Sequence, residues 1–401
     1  MSLLFSPAKI GNLEIKNRFI HSATYEGMAA EDGTVQDAII KRYAQLAKGE
    51  VGLIIPGYLF IHPHGQALKY QTGIHSDEMI PGLKKVVDAV HEHDGRIVFQ
   101  IAHSGRQTTK ELIGRKPKGP SAKWRNPVDF TRPLEMKEAE IHETIRDFGS
   151  AARRAAEAGA DGVQLHAAHG YLINQFLSPF YNERKDRWGG SDENRFRFLK
   201  EVMAEVRSAL PENMPVLIKL NSNDFTPREG IVPSLAATYA KWLADLKIDL
   251  VEVSCGSVDF APFNECRGDI PVDEMAGSFS WWKRPFVKAM LNRWVGKYDL
   301  QEGYNVEAAK CIKPALGKIP LAVVGGIRRL SHMEEIVAKK KSDFLSMSRP
   351  FIREPDIVKK FRQNKTNAVA CISCNRCVAA ILYHLPTRCY QKGLPLNKKN
   401  R

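Results

Sequence analysis

The sequence lacks any run of about eighteen or more apolar residues, which argues against a helix that spans a membrane. Its amino terminus lacks the basic-then-apolar order of a signal peptide, so we expect a soluble cytoplasmic protein. It also lacks a serine- or glycine-rich linker before about Pro355, and it shows no repeat apart from the alternation described below. With 401 residues, of which 43% are hydrophobic, the chain can bury a large core.

Charge and cysteine usage narrow the class of protein further. The net charge is +14, but lysine and arginine are spread along the chain, so a solvated surface explains them and no nucleic-acid partner is expected. Four of the seven cysteines crowd the carboxyl end: Cys371, Cys374, Cys377 and Cys389. Without a secretory signal, such a cluster indicates metal or iron–sulfur ligation more than disulfides.

Eight short apolar runs alternate with mostly helical patterns. The predicted strands are Arg18–Ser22, Val51–Pro56, Arg96–Ile101, Asp161–Leu165, Pro215–Leu220, Asp249–Ser254, Pro320–Val324 and Asp343–Met347. Strands that are buried on both faces and joined by helices are typical of a closed parallel barrel, and eight strands close it. We therefore predict an α/β fold, a (β/α)8 TIM barrel over residues 1–355, with a short cysteine-rich C-terminal extension over residues 356–401.

Helix signals lie between these strands. Amphipathic patterns predict helices from Ser76 or Asp77 to His93, over Ile145–Ala158 and over Phe196–Leu210, and a capping box at Ser331 and Glu334 predicts another helix start. Three connections are too long for simple turns: Gln107–Glu138, His169–Asn194 and Gly256–Glu302. They follow the third, fourth and sixth strands, so they lie on one face, which we expect to be the catalytic face.

The fourth strand ends in the segment Asp161–Pro179, which reads DGVQLHAAHGYLINQFLSP. Catalytic groups collect at the carboxyl ends of parallel strands. His166 and His169 are predicted to donate hydrogen bonds to one substrate oxygen, and the Tyr171 hydroxyl to transfer a proton. The alternative is that each histidine is a packed core residue or that one is a metal ligand.

The sequence resembles the Old Yellow Enzyme family of FMN-dependent oxidoreductases over nearly its whole length. The motifs that carry the resemblance are LEIKNR at 13–18, FQIAHSGR at 99–106, LHAAHGYLINQFLSP at 165–179, WGGSDENRFRF at 188–198, VGGI at 324–327 and SMSRP at 346–350. The resemblance implies an eight-stranded barrel with FMN at its mouth that cycles between NAD(P)H and an activated alkene. It implies a hydride passed from the flavin to the β-carbon of an unsaturated carbonyl held by the two histidines, while Tyr171 protonates the α-carbon.

The resemblance also implies roles for other residues. Gln100 would contact the edge of the flavin ring, and Gly325, Gly326, Ser348 and Arg349 would form the phosphate site after the seventh and eighth strands. Lys219 stands where the family commonly carries an arginine, and it keeps the positive charge but loses the planar geometry. These assignments depend on the family match.

Two stretches leave alternatives open. The segment Ser22–Tyr25 departs from the family pattern, so Ala23, Thr24 and Tyr25 are all candidates beside the flavin, and either Thr24 or Tyr25 could tune it. Trp281 and Trp282 could wall the substrate pocket, although adjacent tryptophans also serve in loop packing or at an interface.

The cysteine spacing resembles the dienoyl-CoA reductase and trimethylamine dehydrogenase branch, in which it implies a 4Fe-4S cluster; a single zinc ion or cysteines without a cluster are the alternatives. That branch continues into an FAD- and nucleotide-binding domain, whereas the sequence ends twelve residues after Cys389. We therefore expect electrons from NAD(P)H directly or from a separate electron-transfer protein, or else a cluster that serves only structure.

The first hypothesis is an ene-reductase that acts on a small unsaturated substrate. The second is an electron-transfer subunit that relays electrons between FMN and the cluster within a larger complex. An RNA-modifying flavin barrel ranks last, because its family lacks the motif HAAHGYLINQFLSP at 166–179. A homo-oligomer is compatible with all three hypotheses.

Overall fold

The computed structural model describes residues 2–123, 125–126 and 131–396. Its strands are β1 Ala8–Ile10, β2 Leu13–Ile15, β3 Phe19–His21, β4 Leu53–Ile54, β5 Leu59–Phe60, β6 Val98–Ala102, β7 Lys118–Gly119, β8 Leu134–Glu135, β9 Gly162–Ala167, β10 Val216–Asn221, β11 Leu250–Ser254, β12 Leu321–Val324 and β13 Phe344–Met347. All eight predicted strands are confirmed, and each observed bound lies within two residues of the predicted one. The exact bounds of short strands such as β4 and β5 are set by pairing with neighbouring strands, and no local pattern in the sequence fixes them.

The helices are α1 Asp37–Lys48, α2 Ile80–His91, α3 Lys110–Ile113, α4 Glu138–Glu157, α5 Leu172–Leu177, α6 Asp192–Ala209, α7 Pro233–Asp245, α8 Pro262–Glu265, α9 Val272–Gly277, α10 Arg284–Asn292, α11 Val306–Ile312, α12 Leu330–Ala338, α13 Arg349–Arg353, α14 Ile357–Arg362 and α15 Arg376–Ile381. The predicted capping box is wrong, because α12 begins before Ser331, and Arg329 is its N-cap. Among the described residues, no helix combines the length and apolar character needed to cross a membrane.

The main sheet contains nine parallel strands in the order β4-β3-β13-β12-β11-β10-β9-β6-β5. A bridge between Ile54 and Ile97 ties β4 to the start of β6, so the two edges of the sheet meet. β5 follows β4 along the chain and pairs with β6, so β4 and β5 together fill one barrel position. The predicted TIM barrel is confirmed, with helices packed outside it.

The barrel interior is layered. Its lower layer is apolar and includes Ile20, Leu53, Val98 and Leu217, and it packs against Ile10 of the β1–β2 hairpin. Because side chains alternate along a strand, positions two residues further on point into the same interior nearer the carboxyl ends. Three of those positions, Ser22, Gln100 and Lys219, are polar and hold the site described next, whereas Ile55 is apolar.

The division of the chain at residue 355 stays a prediction. Helix α14 lies beyond it, yet Ile357, Val358 and Phe361 belong to the main core of the barrel. The last five residues of the expected extension, 397–401, lie outside the described part of the chain.

Candidate active site

The segment after β9 turns back sharply at His169, which places its ring beside that of His166. His169 has a backbone φ of 62°, a left-handed conformation that is uncommon for a residue with a side chain. Its N–H donates to Asn221 Oδ1 at 3.2 Å, and its carbonyl accepts from the N–H of Val258 at 3.1 Å. The turn is therefore held by the end of β10 and by the loop that follows β11.

The two histidine rings meet edge to face, with centroids 5.2 Å apart and planes at 86°. The N–H of Ala168 donates to His166 Nδ1 at 3.4 Å, which leaves the proton of the neutral ring on Nε2 as a donor. Burial holds the pKa of His166 well below its usual range, and the neighbouring His169 and Lys219 lower it further. His166 is thus a neutral hydrogen-bond donor at physiological pH.

His169 is engaged at both ring nitrogens. Its Nε2 lies 2.7 Å from Ser254 Oγ, and its Nδ1 lies 3.4 Å from Glu265 Oε2. Burial, with a smaller contribution from Lys219, lowers the pKa of His169 to about 3, so it is also neutral. Its contacts to Ser254 and Glu265 were not foreseen in the sequence.

Tyr171 completes the predicted trio. Its hydroxyl donates to the Tyr58 hydroxyl at 2.9 Å, and its ring centroid lies 4.6 Å from that of His166. Burial raises the pKa of Tyr171 above its usual value, and the pKa of Tyr58 is raised for the same reason. The structure therefore brings His166, His169 and Tyr171 together, with Tyr58 as an unpredicted fourth member.

A chain of buried polar side chains crosses the barrel below the histidines. Gln100 Nε2 donates to Gln164 Oε1 at 2.6 Å, and Gln164 Nε2 donates to Glu252 Oε2 at 2.9 Å. Ser22 Oγ donates to Glu252 Oε1 at 2.6 Å and accepts from Lys219 Nζ at 2.8 Å. Lys219 points inward as predicted, and its ammonium lies 3.5 Å from the Glu252 carboxylate.

The residues after β3 separate into different environments. Thr24 turns its hydroxyl back to the Ser22 carbonyl at 3.0 Å, and half-buried Ala23 packs on the interior apolar layer. Tyr25 is buried in an aromatic cluster with Tyr58 and Tyr171, and its hydroxyl donates to the Lys69 carbonyl. Which of the three contacts a flavin stays a prediction.

The expected phosphate site is built from two connections. Gly325 and Gly326 have φ values of 135° and 67°, and a Cβ on Gly326 would lie 2.3 Å from the Gln301 carbonyl, so only glycine fits. Ser348 is the N-cap of α13, which begins at Arg349. The Arg349 guanidinium donates to the carbonyl of Arg267 at 2.9 Å and to that of Cys266 at 3.3 Å, so it holds the sixth loop.

The four clustered cysteines line one small cavity of about 20 Å³, together with Arg349 and Arg353. Ser373 and Asn375, which lie between the cysteines, have φ values of 56° and 51°. Left-handed residues in such a loop turn backbone N–H groups to one side, as in many iron–sulfur sites. Among the described residues, no three histidine, cysteine or acidic side chains are arranged to hold a single metal ion.

This cysteine segment, residues 371–377, docks onto the sixth loop of the barrel. Asn375 Nδ2 donates to the carbonyls of Cys266 and Asp269 at 2.7 and 3.0 Å, and its Oδ1 accepts from Arg349. Arg328 donates to Ser373 Oγ at 2.8 Å. Helix α15 follows, and its last residue, Ile381, packs against the aromatic cluster around Tyr171.

The residues at the barrel mouth fit an FMN ring. Gln100 Oε1 is buried without a hydrogen-bond partner, and it is an acceptor suited to the ring N–H at the pyrimidine edge. Lys219 supplies a buried cation for the neighbouring ring oxygen. A hydrogen-bond acceptor without a partner, next to a cation, is the arrangement that the pyrimidine edge of a flavin requires.

Several residues of the site were missed in the sequence. Gln164 and Glu252 are polar residues at inward positions of buried strands, and alternation within GVQL and LVEVS could have found them. Ser254 lies two positions after Glu252 in the same strand and carried the same signal, whereas Tyr58 and Glu265 carried none. Trp281 and Trp282 are 80% and 63% exposed, so neither packing within a loop nor an enclosing pocket wall describes them.

Comparison with known proteins agrees with this geometry. A family model described as the NADH:flavin oxidoreductase / NADH oxidase family matches residues 3–268. The chain belongs to this family. This is the family that the sequence motifs implied.

Two curated relatives show the extent of the match. The chain is 33% identical to an NADH oxidase of Thermoanaerobacter brockii over 393 residues, which are 96% of this chain and 55% of the relative. It is 34% identical to an NADPH dehydrogenase of Geobacillus sp. (strain WCH70) over 359 residues, which are 88% of this chain and 92% of the relative. The chain therefore spans about half the length of the first relative.

Two solved structures share the fold. A 2-naphthoyl-CoA reductase in complex with 2-naphthoyl-CoA gives a TM-score of 0.83 at 27% identity, covering 97% of this chain and 56% of that one. An Old Yellow Enzyme homologue from Zymomonas mobilis gives a TM-score of 0.72 at 27% identity, covering 92% and 95% of the two chains. The expected family is confirmed.

Proposed function

We propose that the chain takes electrons from NADH or NADPH and reduces carbon–carbon double bonds activated by a neighbouring carbonyl. The observation that carries this proposal is the grouping of His166, His169 and Tyr171 above the buried pair of Gln100 and Lys219. Bound FMN supplies the hydride. The protein supplies a donor for the substrate oxygen, a proton for the carbon and a water-poor site.

His166 is the better placed donor for the substrate carbonyl, because its Nε2 carries the proton. His169 acts as the second donor when the substrate oxygen competes with Glu265 for its Nδ1. A buried neutral donor aimed at developing negative charge lowers the barrier, since it needs no reorganisation during the reaction. The same pair suits the carboxamide oxygen of a nicotinamide.

Tyr171 is the proton donor in this scheme. Its raised pKa keeps the proton in place until negative charge develops on the substrate. Tyr58, in contact with the Tyr171 hydroxyl, can return a proton after transfer.

The test is turnover of 2-cyclohexen-1-one with NADH and NADPH, followed by alkene reduction and by the spectral change on binding of phenolic ligands. Loss of both responses in His166→Ala/His169→Ala supports the assignment. Full turnover with wild-type spectra would contradict it.

We further propose that Cys371, Cys374, Cys377 and Cys389 hold a 4Fe-4S cluster. Support comes from the shared cavity and from the left-handed residues between the cysteines. The donor set is thiolate only, which suits iron–sulfur chemistry. Visible absorption with iron and acid-labile sulfide analysis on anaerobically purified protein tests this, and absence of both elements would contradict it.

The second candidate function, an electron-transfer subunit, is favoured by one observation. Helix α15 runs from the cysteine segment to Ile381 at the aromatic cluster, so the two centres share one element. Ordinary rates of NAD(P)H oxidation and enone reduction by the isolated chain would exclude it. The electron-transfer partner, a homo-oligomer and a cytoplasmic location stay predictions.

A further inference from the structure

Glu265 is a partly buried acid at the active site, with 21% of its side chain exposed, and the proposed function gives it no role of its own. It ends the short helix α8 on the sixth loop, and its Oε2 lies 3.4 Å from His169 Nδ1. The other nitrogen of that ring lies 2.7 Å from Ser254 Oγ. His169 therefore stands between a carboxyl group and a hydroxyl group.

This arrangement limits what His169 can donate. While Glu265 is ionised, it accepts the Nδ1 proton, and Nε2 becomes an acceptor for the Ser254 hydroxyl. A substrate oxygen that needs the Nδ1–H must then compete with a full negative charge. Once Glu265 is protonated, that charge is gone, and an anionic oxygen can enter beside His169.

We propose that Glu265 is a positioning residue that acts through His169 and decides whether the site accepts an anionic oxygen. The inference rests on the proposed function, because it assigns His169 the task of binding the substrate oxygen. The inference goes beyond that function because it names Glu265 as the residue that controls the binding. It also names anions as the class of ligand that Glu265 excludes.

The electrostatic surroundings of Glu265 agree with this role. Burial raises the pKa of Glu265 to about 8, Lys219 on β10 lowers it, and Asp259 on the same loop raises it. Tyr58, Tyr171 and Tyr304 face it from three other elements, and burial raises the pKa of each of them. The thiols of Cys255 and Cys266 also face Glu265, and burial raises the pKa of both to about 12.

The neighbouring tyrosines, thiols and histidines therefore keep their charge between pH 6.5 and 9.5, while Glu265 changes its own. The backbone around Glu265 is fixed at the same time. The Glu265 carbonyl accepts from the Tyr304 hydroxyl at 2.9 Å, and the next carbonyl, of Cys266, accepts from Asn375. Glu265 therefore changes its charge at a fixed position next to His169, and control of anion binding requires such a change.

The first experiment is calorimetric titration of the flavin-containing protein with 2,4-dinitrophenolate, which stays ionised throughout, from pH 6.5 to 9.5. Above about pH 8 we expect the wild-type Kd to rise about tenfold per pH unit, and in Glu265→Gln we expect it to stay constant. Glu265→Asp should restore the dependence. An unchanged pH dependence in Glu265→Gln would overturn the proposal.

The second experiment uses the wild-type protein, so it does not depend on whether a variant at position 265 folds. Long-range proton–nitrogen NMR of histidine-labelled wild-type protein reports which ring nitrogen of His169 carries the proton, with the signal assigned from His169→Asn. At pH 9.5 we expect the proton on Nδ1, and a proton on Nε2 would overturn the inference. Both experiments are independent of turnover, so a protein that reduces no enone would contradict the proposed function and leave this test intact.

Discussion

At the barrel mouth, His166 and Lys219 are Cα partners in the paired strands β9 and β10, whereas Cys371 and Cys374 lie in a loop outside the sheet and Cys377 lies in the first turn of α15. Strand register places His166 and Lys219, and the side chains next to them are buried among other residues of the barrel. The cysteine segment is placed by side chains that reach it from elsewhere, such as Arg349 and Arg328. The barrel site should therefore be costly to alter, and the cysteine site should be separable from the fold.

The largest expected effect of a single substitution lies in the barrel interior. Lys219→Met leaves the Glu252 carboxylate buried without its cation, which should lower the free energy of unfolding by about 3–5 kcal/mol. Urea unfolding measures this. Lys219→Met/Glu252→Gln, which removes the uncompensated charge, should recover most of the loss. If it does not, the two residues are not an interacting pair.

The next effect concerns catalysis. His166→Ala/His169→Ala should lower kcat/KM for enones by at least about 10²–10³-fold, because removal of one buried donor to a developing oxyanion already costs that much. Iron content should not change. His142→Ala, at a surface histidine, is the matched control. An equal loss in the control would show that the effect is not specific to the site.

A third effect is the pH dependence of stability. Burial lowers the pKa of His21 to about 3 from 6.5, so its folded form stays neutral while the unfolded form takes up a proton. Its contribution is complete above pH 6.5 and is lost as the pH falls toward 3, at about 1.4 kcal/mol per pH unit.

His21→Asn keeps a donor for the Ile55 carbonyl but cannot titrate. Between pH 6.5 and 4.5 its free energy of unfolding should fall by about 2 kcal/mol less than that of the wild type. Urea unfolding of both proteins at the two pH values measures this. Parallel losses in the two proteins would refute the assignment.

The smallest effect is expected at the cysteine segment. Asn375→Gly removes the side-chain bonds to the carbonyls of Cys266 and Asp269 while it still permits the left-handed backbone. We expect a loss of about 1–3 kcal/mol in stability and a fall in iron content. Asn364→Gly, at an exposed asparagine with a φ of 54°, is the matched control. Equal iron in both variants would show that Asn375 does not hold the segment.

The sequence by itself determined the eight strands, the inward direction of Lys219 and the proximity of His166 to His169. These features follow from local rules, because buried strands alternate their side chains and parallel strands end at one face. The family motifs added the expectation of a flavin and of a cysteine cluster.

Only the tertiary structure placed Ser254 and Glu265 on the two sides of His169, and only it turned Arg349 toward the carbonyls of the sixth loop. It also brought Cys389 to the same cavity as the other three cysteines. These contacts join residues far apart in the chain through loops without periodicity. Their positions depend on the packing of the whole fold, and no local pattern encodes them.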